Sequence, residues 1–212
     1  VRRLDRANTA KPDCLESYDP ARQGWDDLDF QDKRTIRDRL WEMQGGLCAY
    51  CERDIAGAAK SHIEHFHPRR LNKAKTFAWE NLFLSCDATD YCGHHKDRPG
   101  SDYNPSDLIK PDRDDPDQFL FFASKGEVQA KGAAGTNEER MARQTIQILN
   151  LNHVSLRNAR RREADVYLES GILSGLEGFD AEDRKEYLKE EIKSLQGKPF
   201  ASVVRHLLQI NF

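Results

Sequence analysis

Four of the five cysteines share one short stretch: Cys48 and Cys51 with two residues between them, Cys86 and Cys92 with five. A C-x2-C turn points both sulfurs at one ion. Two such pairs supply four thiolates at ~2.3 Å around a tetrahedral zinc, which leaves no open position for substrate. The bland alternative is four ordinary buried thiols. In a reducing compartment the doublet and the histidine-rich insert favour structural zinc over a disulfide frame. The 34 residues between the pairs exceed the gap of a simple zinc ribbon, so a further element must be inserted there. Cys14 stands apart and is assigned no function.

That insert carries a second kind of chemistry. Five of the seven histidines lie between positions 62 and 95. Ser61-His62-Ile63-Glu64-His65 alternates like a strand, Trp79 to Leu84 reads as a buried strand, and Cys92-Gly93-His94-His95-Lys96-Asp97 can open a short helix. Hydrolysing a phosphodiester needs a base for the water, which a neutral imidazole provides near pH 7. It also needs a cation for the charge that builds on phosphate and leaving oxygen. The base must be held still, which a neighbouring amide can do. An acid–His pair (Glu64, His65), an amide (Asn81) and helix histidines (His94, His95) supply those parts. A single histidine is more often structural than catalytic, and His62 and His67 are left on that side. Tyr50 and Trp79 are read as packing around the cysteine knuckle.

Ile63-Glu64-His65-Phe66-His67-Pro68 resembles the signature of HNH (ββα-metal) nucleases, in which an acid–His pair is followed three residues later by proline. Asn81-Leu82 matches its middle asparagine, and Cys92-x3-Lys96 its closing element. The resemblance implies His65 as general base, Glu64 as ligand of a catalytic Mg2+ or Mn2+, and Asn81 as organiser of the loop bearing His65. Glu64 stands where aspartate is usual, and either carboxylate binds Mg2+. The position after Cys92, normally the third motif residue, is Gly93. His94 or His95 must take that role and bind the ion, and the sequence leaves both open.

Trp79-Glu80-Asn81-Leu82-Phe83-Leu84-Ser85-Cys86 and Thr145-Ile146-Gln147-Ile148-Leu149-Asn150-Leu151-Asn152 resemble a narrower family, the PtuB-type HNH proteins of Septu antiphage operons, found also beside some retrons. Arg2-Arg3-Leu4-Asp5-Arg6 and Leu108-Ile109-Lys110-Pro111 fit the same resemblance, which covers most of the chain. It implies an ABC-type ATPase partner (PtuA-like) that restrains the nuclease, and near retrons a reverse transcriptase with its nucleic acid.

The positioning elements follow from pattern. Ile36, Leu40 and Met43 mark a helix over about 29–43, stopped by Gly45-Gly46. Residues 102 to 127 are acidic and broken by Pro105, Pro111, Pro116 and Gly126, with a strand at Phe119-Leu120-Phe121-Phe122 and a loop over 130–136. Thr136 with Glu139 predicts a capping box before a helix using Met141, Thr145, Ile148 and Leu149. Further helices are expected over 154–168, after Asp180 (Tyr187, Leu188, Ile192 and Leu195 inward), and from Pro199 (Phe200, Val203, Val204, Leu207 and Leu208 inward). The expected fold is α+β: a zinc-stapled ββα-metal module and a mostly helical C-terminal half. The expected divisions are an N-terminal segment (1–44), an HNH core (45–100), an acidic connector (101–136) and the helical region (137–212).

Net charge is −3, whereas proteins that grip DNA unaided usually carry a positive surplus. Either charge is sorted into patches or a partner supplies the grip, and the long helical tail suits docking. Six arginines between 140 and 162 meet no Asp or Glu there, and helical spacing sets Arg157, Arg160 and Arg161 on one face. A solvated face or a protein contact outweighs a phosphate-binding one. No stretch nears the ~20 apolar residues of a membrane span, and Val1 to Arg6 precede no apolar run, so a cytoplasmic, membrane-free protein is expected. The DNA or RNA substrate stays open. The rival reading is a zinc module that binds nucleic acid or protein without cutting it.

Overall fold

The structure, a computed structural model, describes residues 1–55 and 60–210. Helix α1, Phe30–Gln44, opens where the Asp29 carboxylate accepts the Asp32 N–H and closes where Gly45 turns left-handed. That conformation costs glycine nothing, which makes it a stop signal. Ile36 and Leu40 are fully buried and lay α1 on the sheet that follows.

That sheet is an antiparallel pair, β1 (Ser61–His65) and β2 (Leu82–Cys86), with Ile63 opposite Leu84 and His65 opposite Leu82. Helix α2, Cys92–Lys96, comes directly after it. The strand expected from Trp79 begins later. Trp79–Asn81 form a single 3-10 turn, closed by the Asn81 N–H donating to Ala78 O, before pairing starts at Leu82. Gln44 fastens α1 to the sheet with its side-chain amide. It accepts the Leu84 N–H at 2.7 Å and donates to Leu47 O and Leu84 O. A buried amide used this way substitutes for a missing strand neighbour.

The arginine-rich N-terminal segment meets the 108–112 stretch. The Leu4 N–H donates to Pro111 O, and the Arg6 guanidinium pairs with Asp112 and donates to Leu82 O. Its plane lies over the rings of Trp79 and Phe83.

A second antiparallel pair, β3 (Leu120–Phe122) and β4 (Val128–Ala130), follows the short helix α3, Pro116–Phe119. Phe119 thus ends a helix instead of starting the strand, and Ala130 belongs to a strand instead of the expected loop. Helix α4, Asn137–Ile148, is capped by Thr136 accepting the Glu139 N–H. Helices α5 (Val154–Glu169) and α6 (Ala181–Ser194, capped by Asp180) lie where expected. The last helix, α7, runs Ala201–Gln209 and starts two residues after the expected Pro199. Phe200 adopts a left-handed φ of 53° there, while Glu52 caps the helix from across the fold. The Glu52 carboxylate accepts the Ser202 N–H at 3.0 Å and the Ser202 hydroxyl at 2.6 Å. Val203, Val204, Leu207 and Leu208 are buried as expected. The architecture is α+β, and no helix of the described residues is long and apolar enough to cross a membrane.

The arginine face is corrected. Arg160 is buried, donates to Gly126 O and Leu151 O, and lies over the Phe122 ring. It cannot contact phosphate. Arg140, Arg143 and Arg161 pair with Asp107, Glu139 and Asp165.

Candidate active site

The sulfurs of Cys48, Cys51, Cys86 and Cys92 lie within 4.8 Å of one another, all buried and none in a disulfide. Cys48 Sγ is 3.9 Å from Cys92 Sγ, and Cys51 Sγ is 3.8 Å from Cys86 Sγ. Thiolates ~2.3 Å from a tetrahedral centre would stand ~3.8 Å apart, so the donor set fits a zinc ion. Burial pushes the Cys51 and Cys92 thiols well above their ordinary value, and a cation among the sulfurs would favour their thiolate forms. Cys92 holds a left-handed φ of 61° at the first position of α2, and its N–H donates to Leu149 O. That conformation strains any residue with a Cβ. The cluster joins three pieces of chain: the turn after α1, the end of β2 and the start of α2. Cys14 takes no part.

Beside this knuckle, β1 delivers Glu64 and His65. Glu64 is buried, with Oε1 2.7 Å from Lys96 Nζ. Burial by itself would raise the Glu64 carboxyl. The Lys96 ammonium and the neighbouring His62 outweigh it and hold the group down at about 2. Lys96 is fully buried and also donates to His65 O at 3.0 Å, Asp97 Oδ1 at 2.8 Å and the Tyr103 hydroxyl at 2.9 Å. Its charge is raised well into the ionised range by Glu64 and Asp97 against the cost of burial.

His65 Nε2 is 3.0 Å from Thr76 O. A carbonyl only accepts, so Nε2 carries the proton and Nδ1 the lone pair. The ring stands edge-on to Trp25, 4.6 Å between centroids. Burial lowers its pKa to about 4, which keeps the imidazole neutral at pH 7. The Asn81 side chain ties down the loop after β1. Its Oδ1 accepts the His67 N–H at 2.7 Å, and its Nδ2 donates to His67 O and Lys75 O at 3.1 and 3.0 Å. Every polar atom of that buried amide is used.

The two helix histidines part ways. His94 Nε2 lies 3.0 Å from Asp87 Oδ1, and its ring stacks on His62 at 3.9 Å. His62 Nε2 in turn is 3.4 Å from Glu64 Oε2. His62, Asp87 and His94 each offer one ligand atom within 4.8 Å of the others. His95 is not brought to Glu64, because its Nδ1–H donates to Ile148 O of α4 at 2.9 Å. Helical rotation of ~100° per residue sets it nearly opposite Gly93, the residue that faces the carboxylate. A Cβ at Gly93 would come 2.6 Å from Glu64 Oε2 and 2.7 Å from His62 Nε2.

No protein-family model matches the chain. Two curated proteins do. A "Retron Vc95 putative HNH endonuclease" from Vibrio cholerae serotype O1 biovar El Tor is 27% identical over 150 residues, covering 66% of this chain and 70% of its own length. The chain resembles HNH-type nucleases of antiphage defence. The "Septu protein PtuB" of Bacillus mycoides (strain KBAB4) is 25% identical over 170 residues, 67% of this chain. The match spans 56% of that relative, a little over half its length.

Near Glu64 lie His62, which the sequence set aside as structural, and Asp87, Asp97 and Tyr103, which it did not single out. His62 left a signal, since residues two apart on a strand share a face and Glu64 was already singled out. Asp97 follows the motif lysine directly. Asp87 and Tyr103 are placed by the fold alone and left none.

Proposed function

We propose that this chain is a divalent-metal-dependent HNH endonuclease that hydrolyses nucleic-acid phosphodiester bonds. The observation that carries the reading is the juxtaposition at the end of β1. A buried, ionised Glu64 and a neutral His65 are consecutive on that strand; the loop after it is pinned by Asn81, and its partner strand β2 ends in the cysteine cluster. Binding alone would need no neutral imidazole beside a buried carboxylate.

His65 acts as general base through Nδ1, while Nε2–H on Thr76 O fixes the tautomer and the Trp25 edge fixes the plane. Asn81 holds the backbone that follows the base by its bonds to His67 and Lys75. Lys96 occupies Glu64 Oε1, which leaves Oε2 facing His62. A carboxylate oxygen with imidazole nitrogens beside it is a donor set that suits Mg2+ or Mn2+. Glu64 is the carboxylate ligand, and the imidazole side is the His62–His94 stack, in which it is His62 Nε2 that faces Oε2. Bound there, the ion would supply positive charge to the phosphate and the leaving 3′ oxygen. Cys48, Cys51, Cys86 and Cys92 hold a structural zinc.

The likeness to PtuB and to a retron protein supports a defence role under an ABC-type, PtuA-like ATPase, with a retron reverse transcriptase and its nucleic acid as the alternative setting. A net charge of −3 agrees with a nuclease whose grip on substrate comes partly from a partner. The test is cleavage of plasmid DNA and total RNA by wild type and His65→Ala, with Mg2+, Mn2+ or EDTA, with and without the neighbouring operon proteins. Metal-dependent cutting that disappears in His65→Ala is expected. A folded, zinc-loaded protein that cuts nothing in any condition, yet retains nucleic-acid or partner binding, would make it a binding module.

A further inference from the structure

Gly93 is the place to begin. It sits where the closing motif residue would stand, and it has no side chain to offer. The space in front of it is filled all the same. A Cβ there would overlap Glu64 Oε2 at 2.6 Å and His62 Nε2 at 2.7 Å, both well inside van der Waals contact. The imidazole of His62 therefore reaches, from the strand side, the ground that a side chain at 93 would reach from the helix side. Two residues before Glu64 on β1, it lies on the same face, with Nε2 3.4 Å from Oε2.

Its other nitrogen fits the same role. His62 Nδ1 is buried without a hydrogen-bond partner among the described residues, and Asp87 Oδ1 stands 3.7 Å away. Imidazoles that ligate a metal through one nitrogen usually turn the other N–H towards a carboxylate, which fixes tautomer and ring plane. The exposed His94 ring stacks on His62 and takes the closer contact to Asp87, 3.0 Å. That leaves His94 on the solvent side of the pair and His62 against the carboxylate.

We infer that His62 Nε2, with Glu64 Oε2, binds the divalent ion of this site, and that Gly93 is glycine because His62 occupies the closing residue's place. Asp87 orients His62, and His94 shields it from solvent. The assignment rests on the nuclease reading for the ion's purpose but not for its binding.

The test reads metal binding directly, on the full zinc-loaded chain without nucleic acid. Mn2+ affinity is measured by calorimetry, and the nitrogen coupling of bound Mn2+ by electron spin-echo spectroscopy. The variants are His62→Gln, His94→Gln, His95→Gln and Glu64→Gln, with zinc content and melting temperature confirming the fold. Wild type is expected to bind one Mn2+ with an imidazole nitrogen coupling. His62→Gln should lose that coupling and at least tenfold in affinity, whereas His94→Gln and His95→Gln should keep the coupling. Should His62→Gln fail to fold, the wild-type spectrum and the His94→Gln spectrum still decide. Either no Mn2+ binding or no nitrogen coupling in wild type overturns the inference, as does a coupling lost in His94→Gln. Mn2+ bound through His62 by a protein that cuts no nucleic acid would sink the nuclease reading and leave this assignment standing.

Discussion

Lys96 Nζ lies 2.7 Å from Oε1 of Glu64, and both side chains are sealed from solvent. Two opposite charges buried together hold each other ionised, and removing one strands the other. Lys96→Met should therefore destabilise the protein by about 3–5 kcal/mol. Adding Glu64→Gln should recover part of that loss, because the carboxylate no longer needs a counter-charge. Urea unfolding of the zinc-loaded single and double variants measures the coupling. Additive losses would mean that Glu64 and Lys96 do not depend on each other.

The cysteine cluster predicts a stoichiometry. One zinc per chain should be found by elemental analysis, unchanged in Cys14→Ser and lost or strongly reduced in Cys86→Ser. Chelation should unfold the knuckle together with the strands it staples, because the thiolates join the turn after α1 to β2 and α2. A Cys86→Ser protein with full zinc and an unchanged melting temperature would rule out the four-thiolate site.

Arg160 shows how far periodicity carries and where it stops. Helical spacing set Arg157, Arg160 and Arg161 on one face, and the structure splits them between core and solvent. Arg160 lies four residues from both Leu156 and Ala164, which are buried, so it sits in the core stripe of α5. Arg157 and Arg161 are exposed. Arg160→Met should cost about 1–3 kcal/mol through orphaning the Gly126 and Leu151 carbonyls, while Arg161→Glu should leave stability within about 0.5 kcal/mol. Thermal unfolding of the two variants separates them, and equal losses would contradict the placement.

Much of the fold was readable because its signals are local. The Asp29, Thr136 and Asp180 caps each mark a helix start, and Gly45 marks the end of α1. The motif residues Glu64, His65 and Asn81 also lie close in sequence. What escaped depends on distant chain. Phe200 turns left-handed where α7 meets Glu52, and β4 exists only because Val128 to Ala130 find a partner in β3. Asp87 reaches His62 and His94 through the cysteine loop, which no short window reveals. Gly93 was legible only as a departure, and its cause is the crowding in front of it.

Asp117 ties α3 to α7 and should make that contact acid-labile. Its Oδ1 accepts from Arg205 Nη2 at 2.6 Å and from His206 Nε2 at 3.1 Å. His206 Nδ1 accepts the Phe122 N–H, so Nε2 carries the proton in the neutral ring and the bond to Asp117 needs no imidazolium. Burial opposes ionisation of Asp117, yet the His206 hydrogen bond and the Arg205 charge outweigh it and lower its pKa. A depressed carboxyl adds stability above its unfolded value of about 3.9, and that stability is lost as pH falls through the lower folded value. Asp117→Asn should therefore cost about 1–2 kcal/mol at pH 7, and the gap to wild type should narrow below about pH 4. Urea unfolding of both proteins from pH 7 down to pH 3 gives the measurement. A gap that stays constant over that range would mean the Asp117 charge contributes nothing to holding α7 in place.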